Sequence, residues 1–123
     1  MYEISVRTHF SAAHRLVGHQ GVCAQFHGHN WEIEIFIRGA ELDAIGILVD
    51  FKAVKEAVQE VLTGLDHADL NRHPVFASQN PTSENIARHL FRELGGRLNT
   101  DRCRVSRVRV SESPSSSAAY WEE

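Results

Sequence analysis

Two cysteines, Cys23 and Cys103, are all that 123 residues contain. That is too few to staple a fold of this size, and both are read as free thiols. An excess of positive charge is missing as well. Thirteen Lys and Arg stand against sixteen Asp and Glu, for a formal net charge of -3, and the basic residues are thinly spread. A non-specific nucleic-acid binder needs a basic stripe to replace counterions, so that class is excluded. No apolar run approaches the roughly 20 residues of a membrane span. The first residues, Met1 to Arg7, lack the basic-then-apolar order of a secretory signal. Internal repeats are absent, and the run Ser115 to Ser117 is too short to link two domains. These absences lead to the expectation of a soluble cytoplasmic protein with one domain over 1–123.

What is present is histidine. The chain has eight, within an otherwise ordinary globular composition of 42% hydrophobic and 24% charged residues. A chain of this length encloses only a modest volume, so a deep cleft would need walls from a neighbouring subunit.

Tyr2, Ile4, Val6, Thr8 and Phe10 alternate with Glu3, Ser5, Arg7 and His9, the pattern of a half-buried strand. Without a bulge, Ala12 and His14 continue its apolar face. A second alternation puts His27, His29, Trp31, Ile33, Ile35 and Ile37 on one side and ends at Gly39. The two strands most simply form an antiparallel pair.

A helix follows, with Asp50 as N-cap, an apolar stripe of Phe51, Val54, Val58, Val61, Leu62 and Leu65, and Gly64 near its end. A polar connection from Asp66 to Pro81 leads to a second helix capped by Thr82 or Ser83 and ended by Gly95-Gly96. Cys103 to Glu112 reads as a third strand. Val105 is out of step with Val108 and Val110 there, which predicts a bulge. After a loop, Ala118 to Trp121 forms a short fourth strand. The order ββααββ describes an α+β domain, an antiparallel sheet with two helices on one face.

His27-Gly28-His29 puts two imidazoles on one side of a strand, and His14 ends the preceding strand on the face toward the core. A lone core histidine is usually a packed residue with bonded ring nitrogens, and an HxH pair recurs by chance. Three on adjacent strands make a stronger signal, the arrangement of a catalytic zinc site with its fourth position open. Zinc is favoured over iron because Glu32 and Glu34 point away by parity. Gly28, without a side chain, lets a backbone or ligand approach closely.

Cys23 lies four residues before His27, where a divalent cation would lower its pKa toward the reactive thiolate. Cys103 has no such neighbour and reads as a buried residue without chemistry. Asp66-His67 could form an acid/base pair. As a bare dipeptide it is outweighed by the simpler account of a turn-capping carboxylate and an exposed histidine. Glu112 shares the parity of Val108 and Val110 and would face inward at a strand end. It would meet either an arginine or a ligand with two parallel N–H groups, such as the amino-pyrimidinone edge of a guanine or pterin.

The ordered set Phe10-Ser11-Ala12-Ala13-His14, Cys23-Ala24-Gln25-Phe26-His27-Gly28-His29-Asn30, Asp50-Phe51, Leu65-Asp66-His67, Asn80-Pro81-Thr82-Ser83-Glu84-Asn85 and Glu112 resembles the pyruvoyl-tetrahydropterin synthase-like proteins. The CxxxHGH spacing is similar to the bacterial 6-carboxytetrahydropterin synthase branch, which serves queuosine synthesis. The resemblance implies the tunnelling fold and a homo-oligomer built as a dimer of trimers. It implies zinc on His14, His27 and His29, Cys23 as general base, Asp66 and His67 as a proton relay, Glu112 as anchor of the pterin ring and Thr82 in its pocket. The implied reaction converts 7,8-dihydroneopterin triphosphate to 6-carboxytetrahydropterin, acetaldehyde and triphosphate. Two alternatives stay open, a pyruvoyl-type triphosphate elimination and a non-catalytic zinc- or purine-binding module of the same fold. The serines after Glu112 bear on side-chain specificity.

Overall fold

Alternating apolar residues build two long strands, β1 (Tyr2–His14) and β2 (His27–Gly39). They pair antiparallel without interruption from Tyr2 opposite Gly39 to His14 opposite His27. The structure, a computed structural model, describes residues 1–19, 21 and 24–123. Cys23 therefore lies outside the described residues. β3 (Arg104–Ser113) and β4 (Ser116–Tyr120) complete an antiparallel sheet of order β1-β2-β3-β4. The helices α1 (Phe51–Leu62) and α2 (Ser83–Leu98) cover one face of it.

The expected bulge is present. Phe36 pairs with Arg107 and Ile37 with Val105, so Ser106 is the extra residue and Val105 returns to the buried face. The core between sheet and helices holds Phe10, Trp31, Ile33 and Ile35 from the strands and Val54, Leu62, Ile86, Leu90 and Leu94 from the helices. Phe10 and Trp31 stack with centroids 5.2 Å apart. Gly39 is required by close approach, because a Cβ there would collide with the Arg102 carbonyl and the Leu48 side chain.

Several local expectations are corrected. Asp50 caps α1 through Lys52 N–H, but Phe51 is half exposed and outside the buried stripe. The helix closes at the C-cap Thr63, whose N–H donates to the Gln59 carbonyl, with Gly64 directly after it as expected, but Leu65, though buried, lies in the turn beyond the helix. Gly95-Gly96 does not end α2, which runs on to Leu98. Arg97 pairs with Glu60 of α1 and Glu93, and Leu98 packs against the core. Asn99 then caps the helix, its N–H on the Gly95 carbonyl and its Oδ1 accepting from Val105 N–H. Its side chain lies where a Cβ on Gly95 would be within 3.2 Å, so this glycine accommodates the cap. β4 starts two residues earlier than expected, because Ser113 pairs with Ser116 across a tight turn at Pro114-Ser115. The connection after α1 contains two short 3-10 turns, Leu70–Arg72 and Pro74–Phe76.

Candidate metal centre and its surroundings

The pairing of β1 with β2 places His14 directly opposite His27 and His29 opposite Ala12, so all three imidazoles leave the same face of the hairpin. Their ligand atoms lie within 4.8 Å of one another. His14 is fully buried, and the other two are partly exposed. His14 Nδ1 lies 2.7 Å from the Pro81 carbonyl and His27 Nδ1 lies 2.7 Å from the Gln25 carbonyl. A carbonyl oxygen only accepts, so both Nδ1 atoms carry the proton and both Nε2 atoms present lone pairs. Those two Nε2 atoms face each other at 3.2 Å.

Two lone pairs repel at that distance unless a cation or a proton lies between them. Burial works against the proton, since it is the main cause holding the His14 pKa below 6.5, with His27 and His29 adding to it and the Pro81 carbonyl opposing. Burial also lowers His29, against a partial offset from Glu112. Zinc–nitrogen bonds of about 2.0–2.1 Å in a tetrahedral shell place ligand nitrogens about 3.4 Å apart, close to what is seen here. The donor set fits zinc. Among the described residues no other group of three His, Cys, Asp or Glu side chains meets in this way.

Trp31 forms the floor of the centre. Its ring meets His14 and His29 edge-to-face at 4.9 and 5.0 Å, and its buried Nε1 has no hydrogen-bond partner among the described residues. Glu112, one residue beyond the Glu32–Ser111 pair, carries its Oε1 to 3.4 Å from His29 Nε2 and 4.0 Å from His14 Nε2. Its charged neighbours are these histidines rather than an arginine, and its side chain keeps 38% of its surface open to solvent. Glu32 and Glu34 do lie on the opposite face, where they pair with Arg7.

Asp66 and His67 form a pair. Asp66 Oδ1 accepts from Ser11 N–H at 3.0 Å and lies 3.0 Å from His67 Nδ1. The Ser11 bond is the main reason its pKa is lowered from 3.8. A carboxylate partner puts the imidazole proton on Nδ1 and leaves Nε2 free. His67 adopts a left-handed φ of 57°, strained for a non-glycine residue, and is held there by its N–H on the Ser11 carbonyl. Its side chain is 82% exposed, so the histidine is open to solvent as in the simpler account, while the carboxylate holds the β1 edge at Ser11 rather than capping its own turn. Even so, His67 and His29 line one cavity of about 560 Å³. Gly28 opens onto that cavity rather than between the imidazoles, and a Cβ there would meet only ordinary contact with the Ala12 carbonyl.

Thr82 is the N-cap of α2, its Oγ1 accepting from Asn85 N–H. It follows the Pro81 carbonyl that fixes the His14 tautomer. Cys103 is buried, with Sγ beside Thr100 and Leu98, as expected of a residue without chemistry. The Pro81 and Gln25 carbonyls carry no signal in the sequence, because any residue supplies a carbonyl.

A four-stranded antiparallel sheet with two helices on one face, bearing a histidine triad suited to a metal ion, defines an α+β enzyme scaffold of the tunnelling class. The sequence matches the 6-pyruvoyl tetrahydropterin synthase family over residues 3–123, and the chain belongs to that family of lyases. A Bacillus subtilis protein named 6-carboxy-5,6,7,8-tetrahydropterin synthase is 32% identical over 97% of this chain and 84% of its own length. An Archaeoglobus fulgidus protein, 41% identical over 89% of this chain and 86% of its own, is provisionally named for the same activity. The structure of Caenorhabditis elegans 6-pyruvoyl tetrahydropterin synthase superposes with a TM-score of 0.89 at 26% identity, covering 99% of this chain and 96% of that one.

Proposed function

We propose that the chain is a zinc-dependent lyase converting 7,8-dihydroneopterin triphosphate to 6-carboxytetrahydropterin, acetaldehyde and triphosphate, the activity for which the Bacillus subtilis relative is named. The observation that carries this reading is the 3.2 Å approach of two Nε2 atoms whose Nδ1 partners are both carbonyls. His14, His27 and His29 hold the zinc, with the carbonyls fixing which nitrogen each of the first two offers. When bound, the metal supplies Lewis-acid stabilisation of negative charge on substrate oxygens.

Cys23, in the segment between β1 and β2, serves as general base. Asp66 keeps the proton on His67 Nδ1, so Nε2 of His67 is the atom that accepts or returns one. Each such group contributes roughly 10²–10⁴-fold. Glu112 accepts the two parallel N–H groups of the pterin edge, and Thr82 lines the same pocket. Assembly as a dimer of trimers, in the cytoplasm and in service of queuosine synthesis, completes the reading, since so small a domain needs a neighbour's walls around a triphosphate substrate.

Incubation with 7,8-dihydroneopterin triphosphate, read by mass spectrometry, tests it. Acetaldehyde with triphosphate is expected. Triphosphate without acetaldehyde would move the assignment to pyruvoyl-type elimination, the reading favoured by the Caenorhabditis elegans neighbour. No turnover, with a Cys23 thiol of ordinary reactivity, would leave a zinc- or purine-binding module. Cys23→Ala is expected to keep its zinc and lose turnover.

A further inference from the structure

From Ser11 onward the outer edge of β1 is occupied at every second residue. Ser11 N–H donates to Asp66 Oδ1, and the Ser11 carbonyl accepts from His67 N–H. Ala13 N–H donates to the Ala68 carbonyl at 3.0 Å, in a parallel bridge with Asp69. At the next two positions side chains replace main chain. Arg15 N–H donates to Asn71 Oδ1 at 2.9 Å and its carbonyl accepts from Asn71 Nδ2 at 3.1 Å. Val17 repeats the arrangement with Asn80, at 2.9 and 2.8 Å.

A carboxamide presents one acceptor and one donor side by side, as a peptide group does, so each asparagine reproduces one rung of a strand pair. The main chain of each asparagine is itself held. Asn71 N–H donates to Asp69 Oδ1, and the Asn80 carbonyl accepts from Asn85 Nδ2, whose Oδ1 is bound by Arg88. Arg15 and Val17 are exposed, so core burial does not anchor the backbone at these two positions. The course of the chain there rests on these four bonds.

We infer that Asn71 and Asn80 are positioning residues. They prolong the β1 edge ladder past His14 and set the course on which the chain departs toward Cys23. The same ladder binds Asp66 and His67 to Ser11, so one row of bonds fixes the relay, the first histidine and the departing segment to one another. The functional half of this inference rests on the proposed role of Cys23. A general base misplaced by about 1 Å can lose on the order of 10²-fold in rate, whereas a substrate bound elsewhere is little affected.

The test uses Asn71→Ala, Asn80→Ala, their combination, and Asn80→Asp, which keeps the acceptor for Val17 N–H and lacks the donor. Amide exchange at Arg15 and Val17 should quicken about 10-fold or more in the alanine variants. Zinc content should stay at the wild-type value and the melting temperature should fall by only a few degrees, while kcat, read well below the melting transition, falls about 10- to 100-fold with KM within about 2-fold. Asn80→Asp should fall between. Wild-type kcat in the double variant despite rapid exchange would overturn the inference. Loss of zinc, or a kcat that falls only at temperatures where the variant unfolds, would also overturn it by assigning the amides a merely structural role. Should the wild-type protein turn over no pterin triphosphate, the proposed function fails on its own. Iodoacetamide labelling of Cys23 then decides the clamp, a rate changed at least about threefold upholding it and an unchanged rate overturning it.

Discussion

Two groups of histidines in this chain bring their rings to similar separations. His14, His27 and His29 have centroids 4.6 to 5.2 Å apart, and His73 and His89 lie at 5.4 Å beside Phe76. The difference lies in the partner of the far nitrogen. Carbonyls hold Nδ1 of His14 and His27, so lone pairs converge at Nε2. In the second group Val75 N–H donates to His73 Nδ1 at 3.2 Å, which uses the lone pair and leaves the proton on Nε2 beside Gly64. The first group aims its lone pairs at a common point, the geometry a cation site requires. The second is packing, in which His73 caps a short turn and His89 is partly buried. Ring proximity alone does not separate a ligand set from a packed pair; the orienting main-chain group does.

The largest effect that would break this comparison is loss of metal. His14→Ala should lower zinc from about one per chain to under about 0.1, with turnover down about 10³-fold or more, measured by metal analysis and product formation. His73→Ala and His89→Gln should keep both. A zinc-replete His14→Ala protein would dissolve the distinction between the two groups.

Next in size is Glu112→Gln. A charged hydrogen bond to the pterin edge is worth about 1.5–3 kcal/mol, so kcat/KM should fall about 10- to 100-fold. Zinc content should not change if the three histidines alone are the protein's ligands. Zinc loss in this variant would make Glu112 a ligand.

His73→Ala removes the acceptor for Val75 N–H together with the ring's contacts with Phe76 and His89, and should cost about 1–2 kcal/mol in urea unfolding. The smallest effect concerns pH. Burial is the main cause lowering His89 below 6.5, with His73 and Arg97 adding to it and Glu93 opposing. The unfolded chain therefore takes up this proton first. The stability His89 contributes is complete above 6.5 and is lost as pH falls toward the depressed folded value. Below pH 6.5 the stability of His89→Gln should decline less steeply than that of the wild type, a comparison in which the other titrating groups cancel. Equal slopes would show that burial of His89 carries no proton linkage.

Much of this was legible before any coordinates. Period two assigned faces to β1 and β2 and carried His14, His27 and His29 to one side, and the broken parity of Val105 located the bulge. Helix ends were less legible. Gly95 looks like a stop signal, yet it serves a cap four residues later, because the Arg97 ion pairs and the core contact of Leu98 prolong the helix. Phe51 fits the apolar spacing of α1 but stands half exposed at its first position. In the site, Glu112 was correctly turned inward, but its neighbours were not foreseen. They depend on a pairing register between β2 and β3 that includes the bulge. The two asparagines on the edge of β1 gave no signal, since their partners are main-chain atoms more than fifty residues away.

Which side chains share a face follows from residue order alone, because the pleat alternates whatever the strand packs against. Which ring nitrogen each of His14 and His27 offers is settled by folding. That choice is made by the Pro81 carbonyl, brought from the start of α2, and by the Gln25 carbonyl two residues before His27. A tautomer is set by the hydrogen-bond acceptor that folding places beside it, and no pattern of side chains encodes where a carbonyl will fall.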